Sequence, residues 1–222
     1  MSKAVKIISV EHLTHDVLRI RAEKPEGLQY TPGQAMDISI NKKGWEDKLS
    51  AFTFTSLPED NFIEFTIKTY PSRQRVTNEL LSIQAGDEIF TYKPFGDISY
   101  KGEGIFLAGG AGITPFIAIL RLLEKQHNIG NSKLIFANKT QSDIISKDYF
   151  DKVLGANFIN ILSDETVEGF EHGFINADLI KKYSADNLKY YYLCGPKPMM
   201  DAVEKHLATL GVDDEHIVKE GF

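Results

Sequence analysis

Residues 105–120 read Ile-Phe-Leu-Ala-Gly-Gly-Ala-Gly-Ile-Thr-Pro-Phe-Ile-Ala-Ile-Leu, and the order of features within them decides the fold. Ile105 to Ala108 is a short, unbroken apolar run, as expected of a strand covered on both faces. A second run, from Thr114 to about Gln126, reads as a helix, with Thr114 placed to cap it and Pro115 suited to its first turn. Between the two lie Gly109, Gly110 and Gly112. A strand, a glycine turn and a helix start let backbone amides approach a bulky anion, and the free N–H groups of the helix start face it. The same glycines would also satisfy a tight turn required only by packing. The dinucleotide fingerprint G-x-G-x-x-G is absent, because Pro115 occupies its third glycine position.

Toward the C-terminus the same grammar repeats. Lys133–Ala137, Asn157–Leu162 and Lys189–Cys194 read as buried strands. Ser146–Leu154, Asn176–Tyr183 and Pro198–Leu210 read as helices, the last carrying Met200, Val203, Leu207 and Leu210 on one face and stopped by Gly211. Alternation of this kind implies right-handed crossovers and a parallel sheet. Ligands of such sheets bind at the carboxyl ends of the strands. Those ends carry Gly109-Gly110, Asn138-Lys139-Thr140, Ser163-Asp164 and Gly195-Pro196.

Toward the N-terminus the period falls to two. Val17, Arg19 and Arg21 alternate with Leu18, Ile20 and Ala22, and Ile63, Phe65 and Ile67 alternate with Glu64, Thr66 and Lys68. Such runs predict half-buried antiparallel strands, and the turns between them suggest a barrel or sandwich. One short helix is expected over Asn78–Ile83, with Thr77 as its cap. The chain therefore divides into an antiparallel β-barrel over residues 1–100 and an α/β parallel-sheet domain over 101–222.

The 222 residues include 25 Lys plus Arg and 31 Asp plus Glu, a net charge of −6. That balance disfavours nucleic-acid binding, which relies on neutralising phosphates. The single cysteine, Cys194, excludes an internal disulfide, a Cys-rich zinc site and an iron–sulfur cluster held by this chain. The N-terminus lacks a signal-peptide core, and residues 105–120 are shorter than the roughly 18 apolar residues of a membrane span. A cytoplasmic protein without a membrane partner is expected.

Five motifs in order, Pro32-Gly-Gln34, Ser50-Ala-Phe-Thr53, Pro94-Phe-Gly-Asp97, Gly109-Gly-Ala-Gly-Ile-Thr-Pro115 and Cys194-Gly-Pro196, make the whole chain resemble the ferredoxin–NADP reductase superfamily. The resemblance implies a flavin-binding barrel, a nicotinamide-nucleotide domain, and hydride transfer from NAD(P)H to FAD, or possible FMN. Electrons would then pass to ferredoxin, flavodoxin, an iron–sulfur oxygenase component or free flavin. By position, Phe52 corresponds to the aromatic that packs on the flavin, and Thr53 to the hydroxyl at its N5. Ser50, Ala51, Lys68, Arg75, Val76 and Thr77 fall at other flavin-contacting positions. Gly109, Gly110, Gly112, Thr114, Pro115, Asn138, Lys139, Asp164, Gly195 and Pro196 fall on the nucleotide side. Cys194 corresponds to the thiol beside the nicotinamide, Phe222 to a terminal aromatic over the flavin, and Glu220 to a carboxylate that relays protons or contacts the carboxamide.

Two positions depart from the family pattern. Ser50 stands where an arginine clamps flavin phosphate, and Gln74 where a glycine precedes the phosphate-binding hydroxyl of Thr77. Lys48, Arg73 and Arg75 are the nearby sources of replacement charge. The lost arginine leaves open a reductase that uses free flavin as substrate, and a non-catalytic module that kept only the fold is the third reading. Phe136-Ala-Asn-Lys-Thr140 and Gly173-Phe-Ile-Asn176 are similar to the cytochrome-b-five reductase branch, which mainly uses NADH. Asp164 near the adenine ribose would repel a 2′-phosphate and Lys139 would attract it, so the balance leans to NADH.

Overall fold

The structure is a computed structural model that describes residues 2–70, 76–184 and 188–220. Contacts divide the chain into two compact units, residues 1–99 with 114–119, and residues 100–113 with 120–222.

The first unit contains β1 (Lys3–Thr14), β2 (Val17–Glu23), β3 (Ala35–Ile40), β4 (Ser50–Thr53), β5 (Phe62–Lys68) and β6 (Glu88–Phe95), with helix α1 (Val76–Glu79) before β6. The six strands form one antiparallel sheet in the order β4-β3-β6-β1-β2-β5. Its two ends meet at the Phe54–Phe65 bridge, which closes the sheet into the expected barrel. Met36, Ile38, Phe54, Ile63 and Phe65, each at most 2% exposed, belong to the cluster that fills the interior. Tyr30 stacks on Phe54 with ring centroids 3.9 Å apart.

Two local expectations need correction. Strand β5 is buried on both faces, because Glu64 is only 1% exposed. Its carboxylate accepts from Arg21 Nε at 2.9 Å and from Thr55 Oγ1 at 3.0 Å, partners that a buried charge requires. The short helix begins at Val76, so Thr77 lies inside it instead of capping it. Val76 is buried in the barrel cluster, and that packing draws the helix start forward.

The second unit contains β7 (Gly104–Gly109), β8 (Lys133–Asn138), β9 (Phe158–Leu162), β10 (Glu171–His172), β11 (Tyr190–Cys194) and β12 (Ile217–Val218). All pairings are parallel, in the order β10-β9-β8-β7-β11-β12. The helices are α2 (Thr114–Lys125), α3 (Lys147–Leu154), α4 (Ala177–Tyr183) and α5 (Lys197–Thr209). Every residue of β7 is buried, as its apolar run predicts. One sheet face, including Ile105, Leu107, Ile135 and Ile161, packs with Leu179 and Ile180 of α4 and with Val203 and Leu207 of α5. Tyr192, fully buried on β11, accepts from the backbone N–H of Lys101 (2.8 Å) and Gly102 (3.0 Å) and donates to Gly102 O (2.7 Å). That ties the entry of the unit to its centre.

Candidate functional site

On the barrel, three of the quoted motifs converge on adjacent strands. Thr53 lies opposite Ala35, Ala35 opposite Phe95, and Met36 opposite both Phe52 and Pro94. Gln34 O accepts from Phe54 N at 3.0 Å, so the Pro32-Gly-Gln34 turn is joined to the end of β4. Gly33 has φ +104, and a Cβ there would lie within 3.1 Å of the Ile98 carbonyl carbon, so only glycine fits.

Strand alternation sends Ala51 and Thr53 away from the barrel interior. Phe52 shares its face with fully buried Met36 and packs against the edge of the interior cluster. Strand β4 pairs with β3 along one edge, and among the described residues its other edge meets β5 only through the bridge just beyond it. Outward backbone groups of Ser50–Thr53 therefore lack a strand partner there. Unpaired donors and acceptors along an edge fit a flat ligand with a polar rim, so the barrel passes that test for a flavin.

The other barrel residues fare unevenly. Lys68 is ion-paired with Asp16 at 2.8 Å. The Lys48 ammonium lies 3.9 Å over the Trp45 ring. Val76 presents its side chain to the core and leaves only its backbone to a ligand. Arg73, Gln74, Arg75 and Phe222 lie outside the described residues.

In the second unit, the sequence-selected residues gather along the carboxyl edge of the parallel sheet. The turn Gly110–Ile113 runs as a 3-10 helix directly into α2. Ile113, not Thr114, is the N-cap, with helical angles (φ −67, ψ −22), and its apolar side chain has no acceptor with which to cap the helix. Thr114 and Pro115 occupy the first helical positions.

The three glycines are not equivalent. A Cβ on Gly112 would press into the Cys194 carbonyl and lie 2.6 Å from Gly195 N. One on Gly109 would overlap the Met199 sulfur and lie 3.0 Å from Pro196 Cδ. Gly112 is required by the close packing of the β7–α2 loop on the β11–α5 loop, whereas Gly109 makes room for the Met199 and Pro196 side chains. Gly110, with φ +50, faces open space, so the cradle is open where an anion would approach the turn. An open glycine turn running into a helix start at the carboxyl edge of a parallel sheet fits a dinucleotide.

Backbone ladders continue past the strand ends. Ser163 N donates to Asn138 O at 3.0 Å and Asp164 N to Lys139 O at 2.9 Å, so the opposed residues Lys139 and Asp164 stand side by side. Cys194 ends β11, and Tyr192 pairs with Val218 of β12, so continuing that register brings Glu220 alongside Cys194. Burial pushes the Cys194 thiol up to about 12, and the Glu220 charge adds to the shift. The thiol is therefore neutral at ordinary pH.

Sequence reasoning missed Met199, whose sulfur lies against both loops, and the buried Glu64. Met199 has a signal in retrospect, five residues after Cys194 and facing two glycines. Glu64 has none, since an acidic residue in an alternating strand reads as solvent-facing.

A barrel with a strand edge left without a strand partner among the described residues and a parallel sheet with a glycine turn at a helix start fit a flavin- and nicotinamide-dinucleotide-binding class of protein. Residues 2–103 match the FAD-binding domain family and residues 106–205 the oxidoreductase NAD-binding domain family. The chain thus joins an FAD-binding domain to an oxidoreductase NAD-binding domain, in the order that the resemblance to the ferredoxin–NADP reductase superfamily implies. It is 29% identical over 239 residues to the reductase component of propane 2-monooxygenase from Mycolicibacterium goodii, covering 98% of this chain. At 66%, it spans just under two thirds of that relative's length. Among solved structures, the CS-b5R domains of human Ncb5or in the NAD+ form align with a TM-score of 0.84 at 25% identity, over 99% of this chain and 69% of that one. A ferredoxin NADP+ reductase from Neisseria gonorrhoeae with bound FAD and NADP aligns at 0.83 over 100% and 99% of the two chains. At 19% identity, that second likeness is one of fold. No helix among the described residues is long and apolar enough to cross a membrane.

Proposed function

We propose that the chain is an FAD-dependent NAD(P)H oxidoreductase that passes electrons to a separate acceptor protein. The observation that carries this reading is that one chain holds both a β4 edge without a strand partner among the described residues and an open glycine turn at a helix start on the carboxyl edge of a parallel sheet. When bound, the flavin accepts hydride from NAD(P)H and gives up electrons singly or in pairs. The chain's own residues bind and orient. Thr53 holds the flavin's hydride-accepting edge through its hydroxyl. Ser50 and Ala51 offer backbone groups, and Phe52 backs the ring from the barrel side. Thr77 and Arg75 serve the phosphates.

On the nucleotide side, Gly110 and the start of α2, with Thr114 and Pro115, receive the pyrophosphate. Asn138, Lys139 and Asp164 receive the adenosine end, and Cys194, Gly195 and Pro196 the nicotinamide end. A neutral thiol suits a packing partner for the nicotinamide and argues against a thiolate nucleophile at Cys194. Glu220 beside it is the candidate proton carrier or carboxamide contact, and Phe222 the candidate cover of the flavin. With Asp164 exposed next to Lys139, NADH is the favoured donor. With one cysteine, residues 1–222 hold no iron–sulfur cluster themselves, and the similarity to an oxygenase reductase component favours a protein acceptor.

The test is the visible spectrum of the purified, desalted protein, with mass spectrometry of the released compound to separate FAD from FMN. Retained flavin that NADH reduces supports the reading. A second reading rests on Ser50: without an arginine at the start of β4, flavin would visit as a substrate. Colourless protein that oxidises NADH only when flavin is added favours that alternative. Protein that neither holds nor reduces flavin overturns both.

A further inference from the structure

Met199 is the third residue of α5, and its stem packs against the apolar cluster under the parallel sheet. Its sulfur emerges on the other side, at the carboxyl edge. There it touches two loops from different strands. A Cβ on Gly195 would lie 2.9 Å from the sulfur and 3.2 Å from Gly109 N, and a Cβ on Gly109 would overlap the sulfur outright. The lack of a Cβ on both glycines leaves room for that one atom. An unbranched thioether suits the place, since it reaches between two backbones where a branched side chain would crowd them.

We propose that Met199 is a positioning residue: its thioether is the spacer that holds the β7–α2 and β11–α5 loops at the separation that seats the nicotinamide end of the dinucleotide. This rests on the functional reading above. The adenosine end lies at the ends of β8 and β9, with Asn138, Lys139 and Asp164, and does not touch the spacer. Loss of the sulfur removes the one side-chain atom that contacts both glycines. The loops then shift, and Cys194, whose carbonyl packs on Gly112, shifts with them.

The effect should therefore split. In Met199→Ala, the limiting rate of flavin reduction by NADH should fall about tenfold or more, as misplacement by a fraction of an ångström does. Affinity for adenosine, which carries neither the pyrophosphate nor the nicotinamide, should stay within about twofold by titration calorimetry, because its contacts lie at the ends of β8 and β9. A third measurement needs no flavin: alkylation of the only thiol, Cys194, by N-ethylmaleimide should quicken several-fold as the loops part. Met199→Leu keeps the volume and should restore both rates to within about threefold of wild type, even if Met199→Ala folds poorly. Met199→Ala with wild-type reduction or wild-type thiol reactivity overturns the assignment, as does Met199→Leu no better than Met199→Ala. Wild-type protein that neither binds adenosine nor accepts electrons from NADH overturns the nucleotide reading as well, so the two failures are told apart.

Discussion

Gly112→Ala tests the loop packing most sharply. The added Cβ would lie 2.6 Å from Gly195 N and nearer still to the Cys194 carbonyl, all backbone atoms that no rotamer change can move. Ordinary contact starts at 3.4 Å, so the β7–α2 and β11–α5 loops must part by at least about 0.8 Å. Overpacking of this kind costs roughly 1–3 kcal/mol of stability. The larger effect should be kinetic, because a shift near 1 Å at a reacting centre costs on the order of a hundredfold in rate. Stopped-flow reduction of the flavin-loaded variant by NADH reads it, with thermal denaturation alongside. Gly155→Ala, between α3 and β9 and away from the glycine turn, is the control. It meets no atom within 4 Å and suffers only the left-handed backbone strain of φ +53, about 1–2 kcal/mol. Gly112→Ala should therefore lose much more rate than Gly155→Ala at a similar loss of stability. Equal rates in the two variants, or wild-type reduction by Gly112→Ala, would refute the claim that loop contact sets the nicotinamide's place.

Other outcomes follow from single residues. Cys194→Ala should keep its flavin and slow reduction by about tenfold, roughly 1.4 kcal/mol in the barrier; stopped-flow reduction at the wild-type rate removes Cys194 from the mechanism. Its raised thiol pKa also makes a stability claim: the neutral form is favoured in the fold, so its contribution is complete below the ordinary value of 9.0 and is lost as pH rises toward about 12. Tyr30 and Tyr192, both raised to about 12 mainly by burial, act in the same direction. Denaturation midpoints should thus fall with rising alkalinity, less steeply in Cys194→Ala, and an equal slope denies the thiol its share. Ser50→Arg should tighten FAD by about ten- to a hundredfold, roughly 1.5–3 kcal/mol; unchanged affinity in calorimetry means that Lys48, Arg73 or Arg75 already supplies the charge. Asp164→Ser should raise kcat/KM for NADPH more than it harms NADH, since it removes repulsion while Lys139 remains; an unmoved ratio clears Asp164 of discrimination.

Much of the fold was legible because period and burial agree. The run Ile105–Ala108 reads as a fully covered strand and is one, and the alternation at Val17–Ala22 is an antiparallel strand with arginines outward. Asn176 caps α4 by accepting from Leu179 N at 2.9 Å, and Gly211, at φ +76, follows the end of α5. Legibility failed where tertiary packing overrides a local rule. Thr77 and Thr114 are good capping residues in the wrong backbone state, each already within the first two helical positions. Glu64 looks exposed until Arg21, 43 residues away, is brought beside it. The glycine motif was visible, but its cause was not. Gly109 and Gly112 answer to protein atoms across a loop contact, and only Gly110 faces open space. Short strands β10 and β12, of two residues each, carry too little pattern to read, yet β12 is what sets Glu220 beside Cys194.

The account stands on hydride passing from a nicotinamide held by the parallel-sheet unit to a flavin held by the barrel. Anaerobic titration of the purified, flavin-containing protein with NADH, followed by the flavin's visible absorption, tests that directly. The account predicts that the absorption bleaches fully near one equivalent of NADH per flavin and returns when an electron acceptor is added. A bound flavin that stays oxidised in excess NADH and excess NADPH would contradict it.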